Sequence, residues 1–269
     1  MIRDMTIGQY YPAESIIHRL DPRVKLAGTL LYIVSLFLFD SFFGFGIVVL
    51  FLFGVIKASK VPIRFIMKGL KAVIFLLLFT VVFNIFLMPG EILVKFWIFN
   101  ITKEGLRQAG FMAIRLTCLI LGSSLMTFTT TPNHLTDGLE SALGPLKKIK
   151  VPVHEIAMMM SIALRFIPIL LEETDKIMKA QMARGANFEE GGLIKKAKAM
   201  IPILVPLFVS AFRRANDLAM AMEARCYNGG DHRTKMKPLK YKKRDVFGYL
   251  LLFVYVGSFI IIGRLYPGF

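Results

Sequence analysis

At 269 residues, 55% hydrophobic and with a mean hydropathy of +0.60, the chain is too apolar for an ordinary soluble domain, and an integral membrane protein is expected. Two cysteines, Cys118 and Cys226, in unlike surroundings exclude a disulfide framework and a cysteine metal site. The net charge of +16 raises nucleic acid as a partner, but the charge sorts by membrane side instead. Of the 34 Lys and Arg, all but five fall in segments that one orientation places in the cytoplasm. The exceptions are Lys95, Lys103, Arg107, Arg264 and, inside a span, Arg115.

The stretch 1–25 is polar and charged, which predicts no cleavable signal peptide. A spanning helix needs about 20 mainly apolar residues. Leu26–Phe39 and Phe42–Ile56 are short and are separated by Asp40-Ser41, a tight turn between two helices that borrow flanking residues. Ala72–Met88 stops at Pro89-Gly90, Ala109–Phe128 is long enough but holds Arg115, and Val246–Gly263 is the last span. Arg115 sits near the start of its span, so its side chain is expected to snorkel outward. Asn84 and Ser123-Ser124 are expected to form hydrogen bonds between helices. Basic residues before the first span and between the second and third place the N-terminus in the cytoplasm and the C-terminus outside.

The region 129–245 also has apolar peaks, at Ile156–Leu171 and Met200–Phe212. The first carries Arg165 and Pro168; the second carries Pro202 and Pro206 and ends at Arg213-Arg214. Short peaks with charges read as halves of amphipathic helices, about 153–184 and 195–225, rather than as spans. A shorter helix, His134–Leu143, precedes them, with Asn133 as its N-cap and Gly144-Pro145 as its stop. The expected fold is therefore an all-α integral membrane protein with about five transmembrane helices. Residues 1–128 supply an N-terminal cytoplasmic segment and four spans, 129–245 supply long amphipathic coupling helices, and 246–269 supply the last span.

Within that polar region one pattern occurs twice, 41 residues apart: Ala180-Gln181-Met182-Ala183-Arg184-Gly185 and Ala221-Met222-Glu223-Ala224-Arg225-Cys226. Small residues admit a close approach by another surface, and the planar guanidinium suits carboxylates and exposed carbonyls. One Arg near a helix end also has a purely local explanation in the macrodipole. Two copies on successive helices point to two equivalent docking tips.

These paired motifs resemble the transmembrane T component (EcfT) of energy-coupling factor transporters. The opening Gly8-Gln9-Tyr10, Ser15 and His18-Arg19-Leu20-Asp21-Pro22-Arg23-Val24-Lys25 is similar to that family's first signature, and Glu223-Ala224-Arg225-Cys226-Tyr227 is similar to its second docking motif. The resemblance implies a coupling subunit of an importer for vitamins or other micronutrients in a prokaryotic plasma membrane. It implies two ABC-type ATPases as partners, of EcfA and EcfA′ type, one meeting Ala183, Arg184 and Gly185 and the other Ala224, Arg225 and Cys226. It further implies a substrate-binding membrane S component, with several exchanged in turn. Met158, Met159, Leu164, Ile167, Leu204, Leu207 and Phe208 are the residues that would receive it, since Met-rich apolar faces repack readily. Where Cys226 replaces the expected glycine, a positive φ becomes less favourable, and a packing role is expected for its thiol.

No G-x-x-x-x-G-K-[ST] loop occurs, so ATP and its magnesium are expected on partner chains and no cofactor on this one. His18, His134, His154 and His232 lack metal-ligand spacing, and Glu172-Glu173 with Asp175 reads as a solvated face rather than a catalytic pair. The competing interpretation is a stand-alone secondary transporter with seven spans, which predicts internal repeats across its halves.

Overall fold

The computed structural model describes residues 10–38, 42–96, 99–186, 188, 192–229, 236 and 238–265. The turn expected at Asp40-Ser41 and the signature residues Gly8 and Gln9 lie outside the described residues. The order is α1 (Pro22–Leu38), α2 (Phe42–Ser59), α3 (Ile63–Leu87), β1 (Ile92–Phe96), β2 (Phe99–Thr102), α4 (Lys103–Thr129), α5 (Pro132–Ala142), a 3₁₀ turn (Gly144–Ile149), α6 (Val153–Ala183), α7 (Leu193–Ala224) and α8 (Lys243–Leu265). Among the described residues the regular structure is helical apart from β1 and β2, a small antiparallel hairpin. The described residues form two compact units, one within 143–238, the other within 10–142 and 239–265.

In the second unit α4 is the central helix, packed against α1, α2 and α3, while α8 lies against α1 and α2. Tyr32 and Leu36 of α1, Val48 and Leu52 of α2, Cys118 of α4 and Tyr255 of α8 meet in one buried cluster. α1 and α4 approach closely because residue 122 is glycine: a Cβ there would overlap the Tyr32 ring. Just beside it the Tyr32 hydroxyl donates to the Cys118 carbonyl at 2.8 Å. The outward faces are apolar: Leu30, Phe37, Leu50, Phe53, Phe75, Leu78 and Phe253 are all more than half exposed. So much apolar surface facing outward is what a hydrocarbon solvent, rather than water, would leave uncovered.

By length and composition α4 and α6 are each able to cross a membrane, and α3 joins them when Ile63–Lys71 and Val73–Leu87 are taken as one bent span. Phe43–Ser59 is apolar but shorter. α6 runs for 31 residues, close to the expected 153–184, with its apolar and polar halves in one element.

Other local expectations change as well. The N-cap of α5 is Thr131, whose Oγ1 accepts from His134 N at 3.4 Å, with Pro132 at the first helical position; Asn133 is inside the helix. Asn84 and Ser123 bond to their own helices, Asn84 to the Thr80 carbonyl and Ser123 to those of Leu119 and Ile120. Each of these side chains takes a carbonyl one turn back, the partner nearest to hand. Arg115 does not snorkel. It is 7% exposed, donates from Nε to the Leu36 carbonyl at 3.0 Å, and sits over the rings of Phe37 and Phe45. Leu36 is in the last turn of α1, where carbonyls lack helical partners, so the guanidinium finds its acceptor inside the bundle.

Candidate functional site

The two Ala-Arg motifs end α6 and α7 in the same geometry. At α6, Gly185 N donates to the Met182 carbonyl at 3.0 Å and Ala186 N to the Gln181 carbonyl at 3.0 Å. At α7, Cys226 N donates to the Glu223 carbonyl at 2.8 Å and Tyr227 N to the Met222 carbonyl at 3.0 Å. These paired bonds define a Schellman ending, which needs a left-handed residue just past the cap. Gly185 supplies it with φ +90° and Cys226 with φ +55°. Both expectations for Cys226 are thereby corrected: the thiol-bearing residue adopts positive φ, and it is exposed rather than packed. The demands of the ending outweigh the Cβ penalty at that position.

Arg184 and Arg225 are the cap residues themselves, with nearly equal dihedral angles (φ −88°, ψ 7° and φ −95°, ψ 14°). Ala183, Arg184, Gly185, Ala224, Arg225 and Cys226 are all exposed. Among the described residues neither guanidinium has a hydrogen bond or an ion pair. The carbonyls of Gln181 and Met182 on α6 and of Met222 and Glu223 on α7 are served by backbone N–H groups, without a contribution from either Arg side chain.

α6 and α7 pack against each other in an antiparallel sense. Glu173 of α6 accepts from Ser210 Oγ and from Arg214 Nη2 of α7, the latter at 2.6 Å. The expectation of a merely solvated acidic face therefore fails at Glu173. Pro206 removes the N–H that would have satisfied the Pro202 carbonyl, and Gln181 Nε2 reaches that oxygen at 3.4 Å. Met159, Leu204 and Phe208 are exposed, whereas Met158, Leu164, Ile167 and Leu207 are partly covered. Leu204 and Phe208 share a shallow open groove with Val205, Val209 and Phe212, lined also by Arg213 and Asn216. Val205, Val209 and Phe212 were missed from sequence, although their spacing of three and four from Ile201 carries the signal.

The opening signature forms a hydrogen-bonded knot. Asp21 caps α1, accepting from Arg23 N at 2.9 Å, and its own N–H donates to Asp245 Oδ1 at 2.8 Å. Asp245, 1% exposed at the start of α8, also accepts from Lys242 N at 2.7 Å. Lys25 Nζ donates to the Thr129 carbonyl at the end of α4, and Tyr11 N donates to that of Phe128. His18 Nε2 lies 3.0 Å from the Tyr11 carbonyl and Nδ1 lies 2.7 Å from Ser15 Oγ. Since a carbonyl only accepts, neutral His18 carries its proton on Nε2 and takes the Ser15 proton on Nδ1. Burial pushes the His18 pKa down, with the Lys25 charge adding to it and the bond to Tyr11 opposing it. Among the described residues no three His, Cys, Asp or Glu side chains are grouped as metal ligands.

The described residues thus form a largely helical, outwardly apolar fold with two like helix endings, each carrying an exposed cap Arg. The cobalt transport protein family model, CbiQ, matches residues 13–236. The energy-coupling factor transporter transmembrane protein EcfT of Clostridium kluyveri is 56% identical over 270 residues, covering 100% of both chains. The EcfT proteins of Ruminiclostridium cellulolyticum and Bacillus subtilis are 52% and 50% identical, each over 91% of this chain and 92% and 93% of their own. The chain belongs to the EcfT family of energy-coupling factor transporter transmembrane proteins.

Proposed function

We propose that this chain is the coupling subunit of an ATP-driven importer, joining two ABC-type ATPases of EcfA and EcfA′ type to a substrate-binding S component. The cargo class is vitamins or other micronutrients. The observation that carries this reading is the identity of the two helix endings, each with a cap Arg whose side chain has no partner within the described residues. Two like tips suit two like partners, and Arg184 and Arg225 would each enter a groove on one ATPase. ATP and magnesium belong to those ATPases, and this chain performs no catalysis of its own.

The exposed apolar faces of α6 and α7, including Met159, Leu204 and Phe208, suit an S component, and a surface rich in Met and Phe suits the exchange of several. We place α6 and α7 on the cytoplasmic side of a prokaryotic plasma membrane, with the N-terminus inside and the C-terminus outside. Exposed Arg165 within the apolar half of α6 and Arg213 in the lining of the α7 groove support that placement over two further spans.

The test is purification of the tagged chain from its native membrane in mild detergent, with mass spectrometry of the proteins that accompany it. Two ABC ATPases and one or more small hydrophobic proteins are expected. Arg184→Ala with Arg225→Ala should cut ATPase recovery by more than about tenfold, the loss typical of central interface anchors. A chain that purifies alone and moves a solute into liposomes without ATPases would instead be the seven-span secondary transporter.

A further inference from the structure

The charged contact between α6 and α7 stands in register with the two tips. Glu173 and Arg214 are 41 residues apart, the same spacing as Arg184 and Arg225. Each tip therefore lies eleven residues beyond its own half of the pair, about 16 Å along the helix. Moving from Glu173 to Gln181 on α6 corresponds to moving back from Arg214 to Pro202 on α7, so the arms leave the contact in opposite directions.

The arms also differ from the rest of their helices. Residues 173–184 and 214–225 contain neither Pro nor Gly and are rich in Ala, Met and other good helix formers. Pro168 lies before the contact on α6, and Pro202 and Pro206 lie before it on α7. Each missing N–H softens the helix there. The pair thus separates two stiff arms of equal length from two compliant roots.

We propose that Glu173 and Arg214, with Ser210 beside them, form a pivot, a positioning contact that fixes the crossing so that a displacement of one tip is matched at the other. Unequal arms would move the two tips by unequal amounts, and a crossing free to slide would let one partner move without the other. The pivot rests on the coupling reading for its purpose, but its mechanical effect is measurable on the chain itself.

The experiment places spin labels at positions 180 and 221, equivalent exposed sites one turn before each tip, in a chain carrying Cys226→Ser. Distances are read by pulsed electron resonance in lipid nanodiscs, first for the chain with whatever ATPases co-purify and no nucleotide, then with ATP and vanadate. One narrow distance peak is expected without nucleotide. Glu173→Gln should raise the population outside that peak about two- to five-fold, the range for a partly exposed ion pair. The reversed pair Glu173→Arg with Arg214→Glu should restore the narrow peak. An unchanged distribution in Glu173→Gln, or a reversed pair as broad as the single variant, would overturn the pivot. A narrow peak that ATP and vanadate do not shift, with ATPases bound, would instead count against the coupling reading and leave the pivot standing on its nucleotide-free result.

Discussion

Replacing Cys226 by glycine should stabilise the end of α7, and replacing Gly185 by alanine should loosen the end of α6. Cys226 holds φ +55°, where a residue with a Cβ loses roughly 1–2 kcal/mol relative to the right-handed region. Glycine removes that penalty but gives back roughly 0.4–1 kcal/mol through the greater freedom of the unfolded chain. The net gain for Cys226→Gly is about 0.5–1 kcal/mol, a two- to five-fold slowing of local opening. At Gly185 a Cβ would meet nothing within 4 Å, so Gly185→Ala acts through the backbone alone and costs a similar amount. Amide hydrogen exchange of peptides covering 181–186 and 222–227, followed by mass spectrometry in detergent, reads both. Faster exchange around residue 226 in Cys226→Gly, or no change around 185 in Gly185→Ala, would show that the left-handed ending does not control these tips.

Three further substitutions test the membrane unit. Asp245→Ala strips the acceptor from the N–H groups of Asp21 and Lys242 at a nearly inaccessible site and should lower stability by about 2–4 kcal/mol, with Asp245→Asn losing less; thermal unfolding in detergent decides. Because the folded state lowers the His18 pKa below 6.5, the folded chain binds that proton less readily than the unfolded chain. Its stability is full above 6.5 and falls as the pH drops through the lowered folded value, and His18→Gln should flatten this slope in unfolding curves taken between pH 7.5 and 5 (on the order of a unit either side of 6.5). Arg115→Lys keeps a charge but loses the planar fork between the Leu36 carbonyl and the rings of Phe37 and Phe45. Its melting should show a loss of about 1–2 kcal/mol, whereas wild-type melting would mean that Arg115 does not hold the end of α1.

What could be read from the sequence follows a physical division. Apolar runs and stop signals are local, so α6, α7 and α8 appear close to their expected limits, and Gly185 marks a helix end by its residue type. The hidden features depend on contacts between distant residues. Asp21 meets Asp245 across 224 positions, and nothing in either segment announces the other. Arg115 looks like a snorkelling residue because its neighbours in sequence are apolar; its acceptor is a carbonyl on α1. Glu173 looks solvated among Glu172 and Asp175 until α7 brings Arg214 to it. Cys226 misleads in the opposite way. Its side chain argues against the left-handed conformation, but the repeat 41 residues earlier argues for it, and the backbone follows the repeat.

The helix endings also bear on the local and the intermolecular explanation of the two arginines. An Arg at a helix C-terminus is ordinarily accounted for by the carbonyls it can serve there. At both tips two of those carbonyls, of Gln181 and Met182 on α6 and of Met222 and Glu223 on α7, are taken by the N–H groups of Ala186, Gly185, Tyr227 and Cys226 rather than by the Arg side chain. Both cap residues are exposed, and among the described residues neither guanidinium has a hydrogen-bond or ion-pair partner. An Arg kept for its own helix would favour an open ending with carbonyls to bind. A Schellman ending with a cap Arg that has no partner among the described residues, built twice from different residues at the left-handed position, supports the proposal that the donors serve another chain.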